Sequence, residues 1–301
     1  MTESGPPIVP TEPWSGYFGA PGAGSPHGVL RRMMDRPAGR LGLALTGVLA
    51  VAAILAPLLA PADPYAITGP SLAPPGGAHP LGTDALGRDL LSGLLFGART
   101  SLGVAVAVGL IVLVIGGLVG GFSGYLGGRW DEALMRMTEF FQALPRFFLA
   151  ILAIAVFGPG LDRLVIVLGL TSWTMLARVV RSEVLSLRER EFILAARALG
   201  ASNARIVLRE LLPNALPAAL ALLGLIMGNV LLLEAGLGFL GLGDPNAITW
   251  GLLAGAAQPY LRLAWWLPFF PGVAILAAVL GLNLLGDALT GALGAETRGV
   301  R

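Results

Sequence analysis

Residues 101–129 read SLGVAVAVGLIVLVIGGLVGGFSGYLGGR, and twenty-seven uncharged residues lie between Ser101 and Arg129. A helix needs only about 20 apolar residues to cross the hydrocarbon of a bilayer. Gly116, Gly120 and Gly124 recur at every fourth position, which places three glycines on one helical face. Such a face lets a second helix backbone approach closely in lipid. The pattern recurs along the chain. Leu41–Ala60 is a run of twenty residues without a charge, and Arg262–Asp287 encloses twenty-four more. A soluble core has no use for several such runs. Of 301 residues, 55% are hydrophobic and 13% charged, against about 25% charged in soluble domains. Mean hydropathy is +0.77. The fold class follows: an all-α polytopic membrane protein.

Six spans fit the hydropathy, at 41–61, 101–122, 140–157, 162–180, 215–238 and 267–287. The third carries Pro145 and Arg146 near its start. The fourth is short, with Arg163 and Arg178 at its ends, where long side chains reach back to the headgroups. Gly224 and Gly228 give the fifth span a small-residue face like that of the second. With the N-terminus inside, fifteen of the twenty arginines fall on the inner side and four (Arg88, Arg99, Arg163, Arg262) on the outer, with Arg146 at the membrane edge. Inner loops carry the positive excess, so both termini are expected in the cytoplasm.

The expected organisation is a disordered tail over 1–40, rich in Pro, Gly and Ser, then the first span. A cleaved signal peptide fits less well, because the twenty-residue run exceeds the roughly 7–15 residues of an h-region. An outer loop at 62–100 is expected to carry an amphipathic helix from Asp89, with Gly82, Thr83 and Asp84 in a turn and Asp84 placed to cap the helix. This stretch reads either as an elbow that touches a docking partner or as an ordered lead-in to the second span. A permease-like core of five spans over 101–288 then encloses an inner loop at 183–213, and 289–301 form a cytoplasmic tail.

Composition excludes much chemistry. There is no cysteine, hence no disulfide or thiolate metal site, and the two histidines, His27 and His79, lie outside the apolar runs. The scattered arginines form no nucleic-acid patch. No Gly-x-Ser-x-Gly, His-Glu-x-x-His or phosphate-binding loop is present. Glu234 is nearly alone as an ionisable group at membrane depth, and it must face protein or a wet cavity. It is either a translocation-path or outer-gate group, or a carboxylate that caps loop backbone. Asn229 and Asn283 are polar residues within spans, suited to interhelical hydrogen bonds or to the translocation path. If the chain transports, its energy source is another chain.

The inner loop carries EREFILAARALGASNARIVLRELLPN, residues 189–214. Phe192, Ala195, Ala196 and Leu199 share one helical face, and Gly200 stops the helix. Ser202 or Asn203 can cap a second short helix that ends before Pro213. The expected product is helix, glycine bend, helix, with a small-residue face for a partner or, alternatively, for the inner leaflet.

This segment resembles the cytoplasmic loop of ABC importer permeases, written Glu-Ala-Ala, three residues, Gly, nine residues, Ile, one residue, Leu-Pro. Ala195, Ala196, Gly200, Leu212 and Pro213 stand at matching positions, while Leu194 replaces the motif's Glu and Glu210 its Ile. The resemblance extends over residues 79–288 through HPLGTDALGRDLLSGLLFGARTSL, GYLGGRWDEALMR, EAGLGFLGLG and NLLGD. It is to the dipeptide, oligopeptide and nickel permease family, in its C-type subunit. The resemblance implies a type I importer architecture in a bacterial inner membrane. It implies a homologous second permease that completes the pore as a heterodimer, two cytoplasmic ATPase subunits, and an extracytoplasmic substrate-binding protein. ATP and magnesium would sit on the partner subunits, with no cofactor or metal in this chain. Glu191, Leu194, Ala195, Ala196, Gly200, Ala201 and Ser202 would then form the ATPase-coupling site, and a peptide would be the substrate, with nickel, haem or another small chelate as the alternative. A stand-alone carrier or channel is the rival from another class.

Overall fold

The computed structural model describes residues 26–298. It is helical nearly throughout, and the described residues form no strand. Among the described residues five helices are long and apolar enough to cross a bilayer, or six if a bent helix pair counts as one span. They are α2 (Pro37–Ile54), α4 (Leu90–Leu126), α7 (Leu161–Leu187), α10 (Leu212–Phe239) and α12 (Trp266–Arg298), with the pair α5 (Gly128–Ala143) and α6 (Arg146–Phe157). Shorter elements are α1 (Pro26–Met34), α3 (Ala56–Leu59), α8 (Glu191–Ala198), α9 (Asn203–Arg205) and α11 (Trp250–Ala256).

The glycine face of α4 decides its packing. A Cβ on Gly116 would lie 2.9 Å from the carbonyl oxygen of Trp173, one on Gly120 2.3 Å from that of Ala177, and one on Gly124 2.8 Å from that of Arg181. Glycines four apart on α4 therefore rest on backbone four apart on α7. Helix association in lipid rests on such close packing, since hydrocarbon outside is as apolar as the interface. The same rule joins α10 to α12, where a Cβ on Gly224 would sit 2.5 Å from the Leu282 carbonyl oxygen. It also joins α2 to α12, where Gly42 meets the backbone of Leu284 and Leu285. Leu168, Leu176, Val108, Val112 and Val180 fill the core between α4 and α7.

Several expected boundaries move. Residues 1–25 of the expected tail lie outside the described residues, but Pro26–Met34 is helical, and Met33 packs on Ala288 and Ala292 of α12. Arg36 reaches the Gly291 carbonyl at 3.2 Å, in the space left where Gly291 lacks a side chain. The stretch expected as a C-terminal tail from 289 is helical as far as Arg298. No separate amphipathic helix precedes the second span. The outer loop ends at Asp89, whose carboxylate accepts the Ser92 amide at 2.8 Å and caps α4. Asp84 instead closes a turn, accepting from the amides of Leu86 at 2.8 Å and Arg88 at 2.9 Å. At ~1.5 Å per residue the 37 residues of α4 are about 55 Å long, well beyond a ~30 Å hydrocarbon core.

The span expected at 140–157 is broken. Pro145 has no amide to continue the α5 ladder, and the preceding Leu144 is extended at ψ 125. The chain bends by 75° between α5 and α6. The twelve residues of α6 measure only about 18 Å, shorter than a ~30 Å hydrocarbon core.

The outer loop 62–89 is ordered by its own hydrogen bonds. Thr83, fully buried, donates to the Pro70 carbonyl at 2.6 Å, and the Trp266 indole donates to the Thr83 carbonyl at 3.3 Å. His79 meets the Asp89 carboxylate at 3.0 Å.

Candidate functional site

At the arginine-rich end, α7 runs to Leu187 and the chain turns into α8 through Arg190. The Arg190 backbone is extended, and its carbonyl accepts the amides of Ile193 at 3.0 Å and Leu194 at 3.2 Å. Ile193 is fully buried and anchors α8 to the spans, with Ala196 and Ala201 packed half-buried beside it. The other side of α8 is open. Glu191, Phe192, Leu194, Ala195, Gly200 and Ser202 are exposed, and Leu199 is 88% exposed. Three of the four residues expected on one face therefore point outward, while Ala196 is drawn in beside Ile193.

Gly200 ends α8 as the sequence predicts. Its φ is +77°, in the left-handed region that glycine enters without a Cβ clash. The Gly200 amide bonds the Arg197 carbonyl at 2.9 Å and the Ala201 amide bonds the Ala196 carbonyl at 3.1 Å. This is the paired closure of a Schellman motif, and it satisfies carbonyls left free at the helix end. Ser202 is the cap of the next limb, accepting from the Arg205 amide at 3.3 Å. The second limb is no separate short helix. It continues through a π-helical stretch, Ile206–Leu211, into α10. The ring of Pro213 clashes with a regular turn at Arg209, and widening the turns before it relieves that crowding. Ile206, Val207 and Leu211 are fully buried in the core, and Val207 packs against Gly121 of α4.

The polar residues of the spans divide. Glu234 is 2% exposed. Its carboxylate accepts from the Ser101 hydroxyl at 3.1 Å, and Thr249 reaches the same carboxyl. Ser101 in turn accepts the Trp250 amide at 3.2 Å. Glu234 thus ties α10 to α4 and to the start of α11 inside this chain. Asn229 is exposed on α10, its Nδ2 bonded to the Leu225 carbonyl at 3.0 Å. Asn283 packs on Gly228, and its buried Oδ1 has no partner among the described residues. Asn283 therefore lies at the α10–α12 seam, Asn229 is on an exposed face of α10, and Glu234 belongs to a separate network. Among the described residues no group of three His, Cys, Asp or Glu side chains is placed to hold a metal ion.

Sequence reasoning missed the end of α4. Asp131 at the head of α5 receives two hydrogen bonds from Arg181, each 2.6 Å, and one from the Ser123 hydroxyl. Tyr125 bonds both limbs of the bent segment. The signal was the polar run after a glycine-rich span, in GYLGGRWDEALMR.

Comparison with known proteins agrees with this architecture. Residues 116–299 match the family model "Binding-protein-dependent transport system inner membrane component", and residues 27–75 match "N-terminal TM domain of oligopeptide transport permease C". The chain is 41% identical over 256 residues to the nickel transport system permease protein NikC of Escherichia coli K12, covering 83% of this chain and 91% of that protein. It is 36% identical to the dipeptide transport system permease protein DppC of Bacillus subtilis, covering 89% and 85%. Among solved structures, the MetNI methionine ABC transporter in inward-facing conformations aligns with a TM-score of 0.53 at 20% identity, covering 66% of this chain and 96% of that one, a likeness of fold. A membrane-spanning chain with an exposed bent segment between its spans, matched by both family models, belongs to the binding-protein-dependent transport permeases: it is a multi-pass permease subunit of an ABC importer.

Proposed function

We propose that this chain forms half of a peptide-translocating pore in a bacterial inner membrane and that α8 is the seat of an ATPase subunit. The observation that carries the reading is the outer face of α8. Phe192, Leu194 and Leu199 are 39%, 48% and 88% exposed, while Ile193 beneath them is fully buried. Apolar side chains on a rigidly anchored, exposed helix fit a protein socket. The four arginines Arg190, Arg197, Arg205 and Arg209 around that face complement an acidic rim. In this reading the arginine-rich end and both termini are cytoplasmic. A homologous permease completes the pore, and Asn229 faces it from α10. Two ATPase subunits bind ATP and magnesium, and their closure moves the α8 helices of the two permeases together. An extracytoplasmic binding protein delivers the substrate. The chain itself hydrolyses nothing and holds no cofactor.

Relatives named as dipeptide and oligopeptide permeases favour a di- or oligopeptide. The 41% identity to a nickel permease favours a second reading, a nickel chelate. The complex with its neighbours, reconstituted in proteoliposomes, should accumulate alanyl-alanine only with ATP inside the ATPase compartment and binding protein on the other face. Uptake by the chain alone, without ATP, would overturn the permease-subunit reading in favour of a carrier. Uptake of chelated nickel but not of peptide would select the second substrate.

A further inference from the structure

The last turn of α4 is a junction. Ser123 bonds Asp131 of α5, the Gly124 carbonyl accepts from Arg188 Nη1 at 3.1 Å, and Gly121 packs on Val207 and Leu212. Tyr125, 8% exposed, is the member that reaches the exposed bend. Its hydroxyl donates to Asn203 Oδ1 at 3.2 Å and accepts from Arg197 Nε at 3.3 Å. The Arg197 guanidinium carbon lies 4.9 Å from the Tyr125 ring centroid, within the range of a cation–π contact. Arg197 precedes the Gly200 bend and Asn203 follows it. One side chain of a membrane span therefore holds both limbs. The bend is closed by the Gly200–Arg197 and Ala201–Ala196 backbone bonds, and the space over Gly200 is open, so a Cβ placed there would make no close contact.

We propose that Tyr125 is a positioning residue that fixes the angle at Gly200 and carries displacement of α8 onto α4. The inference rests on the reading of α8 as the ATPase seat. Physically, a force applied at α8 moves a span only if the connection is stiffer than the bend. Three contacts converge on one phenol, and linked hydrogen bonds of this kind reinforce one another. With the phenol hydroxyl gone, α8 would tilt about Gly200 while α4 stays behind.

The absence of cysteine allows a direct test. In the assembled complex, Ala198→Cys on α8 and Val114→Cys on the exposed face of α4 carry spin labels, and their separation is measured with and without ATP. The background carries the native latch, Tyr125→Phe, Asn203→Ala, or both changes. Phe keeps the ring under Arg197, and Asn203 is exposed, so neither change disturbs the core. With the latch intact one distance is expected, unchanged by ATP. Tyr125→Phe should raise the population at a second, ATP-dependent distance about tenfold, which corresponds to ~1.4 kcal/mol, the low end of what its two lost hydrogen bonds contribute. Asn203→Ala should raise it several-fold, and the double variant should add little to Tyr125→Phe, because the bond that Asn203→Ala removes is already lost with the phenol hydroxyl. A structural role alone would lower the yield of complex without creating an ATP-dependent distance. A single ATP-invariant distance in both single variants, with ATPase subunits bound, overturns the inference. So does an ATP-dependent distance in the native latch. Absence of ATPase subunits from the native complex overturns the docking reading beneath it.

Discussion

Substituting Gly200 separates backbone strain from contact with a partner. Its φ of +77° is a region that other residues enter at a cost of about 1–2 kcal/mol. Apart from Gly200 and its chain neighbours, no atom of the described residues lies within 4 Å of a Cβ placed there. Gly200→Ala and Gly200→Trp should therefore carry nearly the same strain and differ only in what they present to solution. Strain of this size is small beside the ~5–15 kcal/mol that holds a typical fold. Both variants should reach the membrane at wild-type levels and melt within a few degrees of each other in detergent. An indole forced into a packed interface costs about 1–3 kcal/mol, or roughly five- to 150-fold in affinity. In the reconstituted complex, Gly200→Trp should lose ATPase association and ATP-driven uptake by that factor, while Gly200→Ala loses far less. Equal uptake and equal ATPase association in the two variants would refute the placement of a partner at the bend.

Other perturbations test the fold beneath the site. Gly120→Ala forces a methyl to within 2.3 Å of the Ala177 carbonyl oxygen, and separating α4 from α7 should cost about 1–3 kcal/mol. Gly117→Ala, three residues earlier and with nothing within 4 Å, should leave the melting temperature unchanged or raise it. Glu234→Ala strips the buried Ser101 hydroxyl of its acceptor and should lower stability by about 1–3 kcal/mol, whereas Glu234→Gln should lose less. Loss of uptake in Glu234→Ala without a change in melting would instead place that carboxyl in the transport path.

Hydropathy and glycine spacing made most of the membrane core legible, because both report on single helices. Gly116, Gly120 and Gly124 named the face, though only the structure shows Trp173, Ala177 and Arg181 against it. The bend at Pro145 was visible as a residue but not as a 75° break, since the angle depends on what α6 packs against. In the α8 segment Gly200 and Ser202 do locally what those residue types do, whereas the expected second short helix runs on into α10. Ile193 was not singled out as its anchor, because burial there is set by packing into the core beside the π-helical stretch rather than by local periodicity. Tyr125, Asp131 and Arg181 escaped for a related reason. Their partners are 50 to 78 residues away in sequence, and no local pattern marks such pairs. Residues 26–40 looked like a tail because their charge and proline content suit one; docking of Met33 on α12 overrides that composition.

The central claim is that an ATPase subunit sits on the outer face of α8. With no native cysteine in the chain, Leu199→Cys gives this subunit a single thiol, at the position that is 88% exposed, for the assembled complex. A short photoactivatable cross-linker on that thiol should capture an ATPase subunit, and the product should change in yield when ATP is added. Cross-links to lipid alone, with the ATPase subunits present and active in the same preparation, would contradict it.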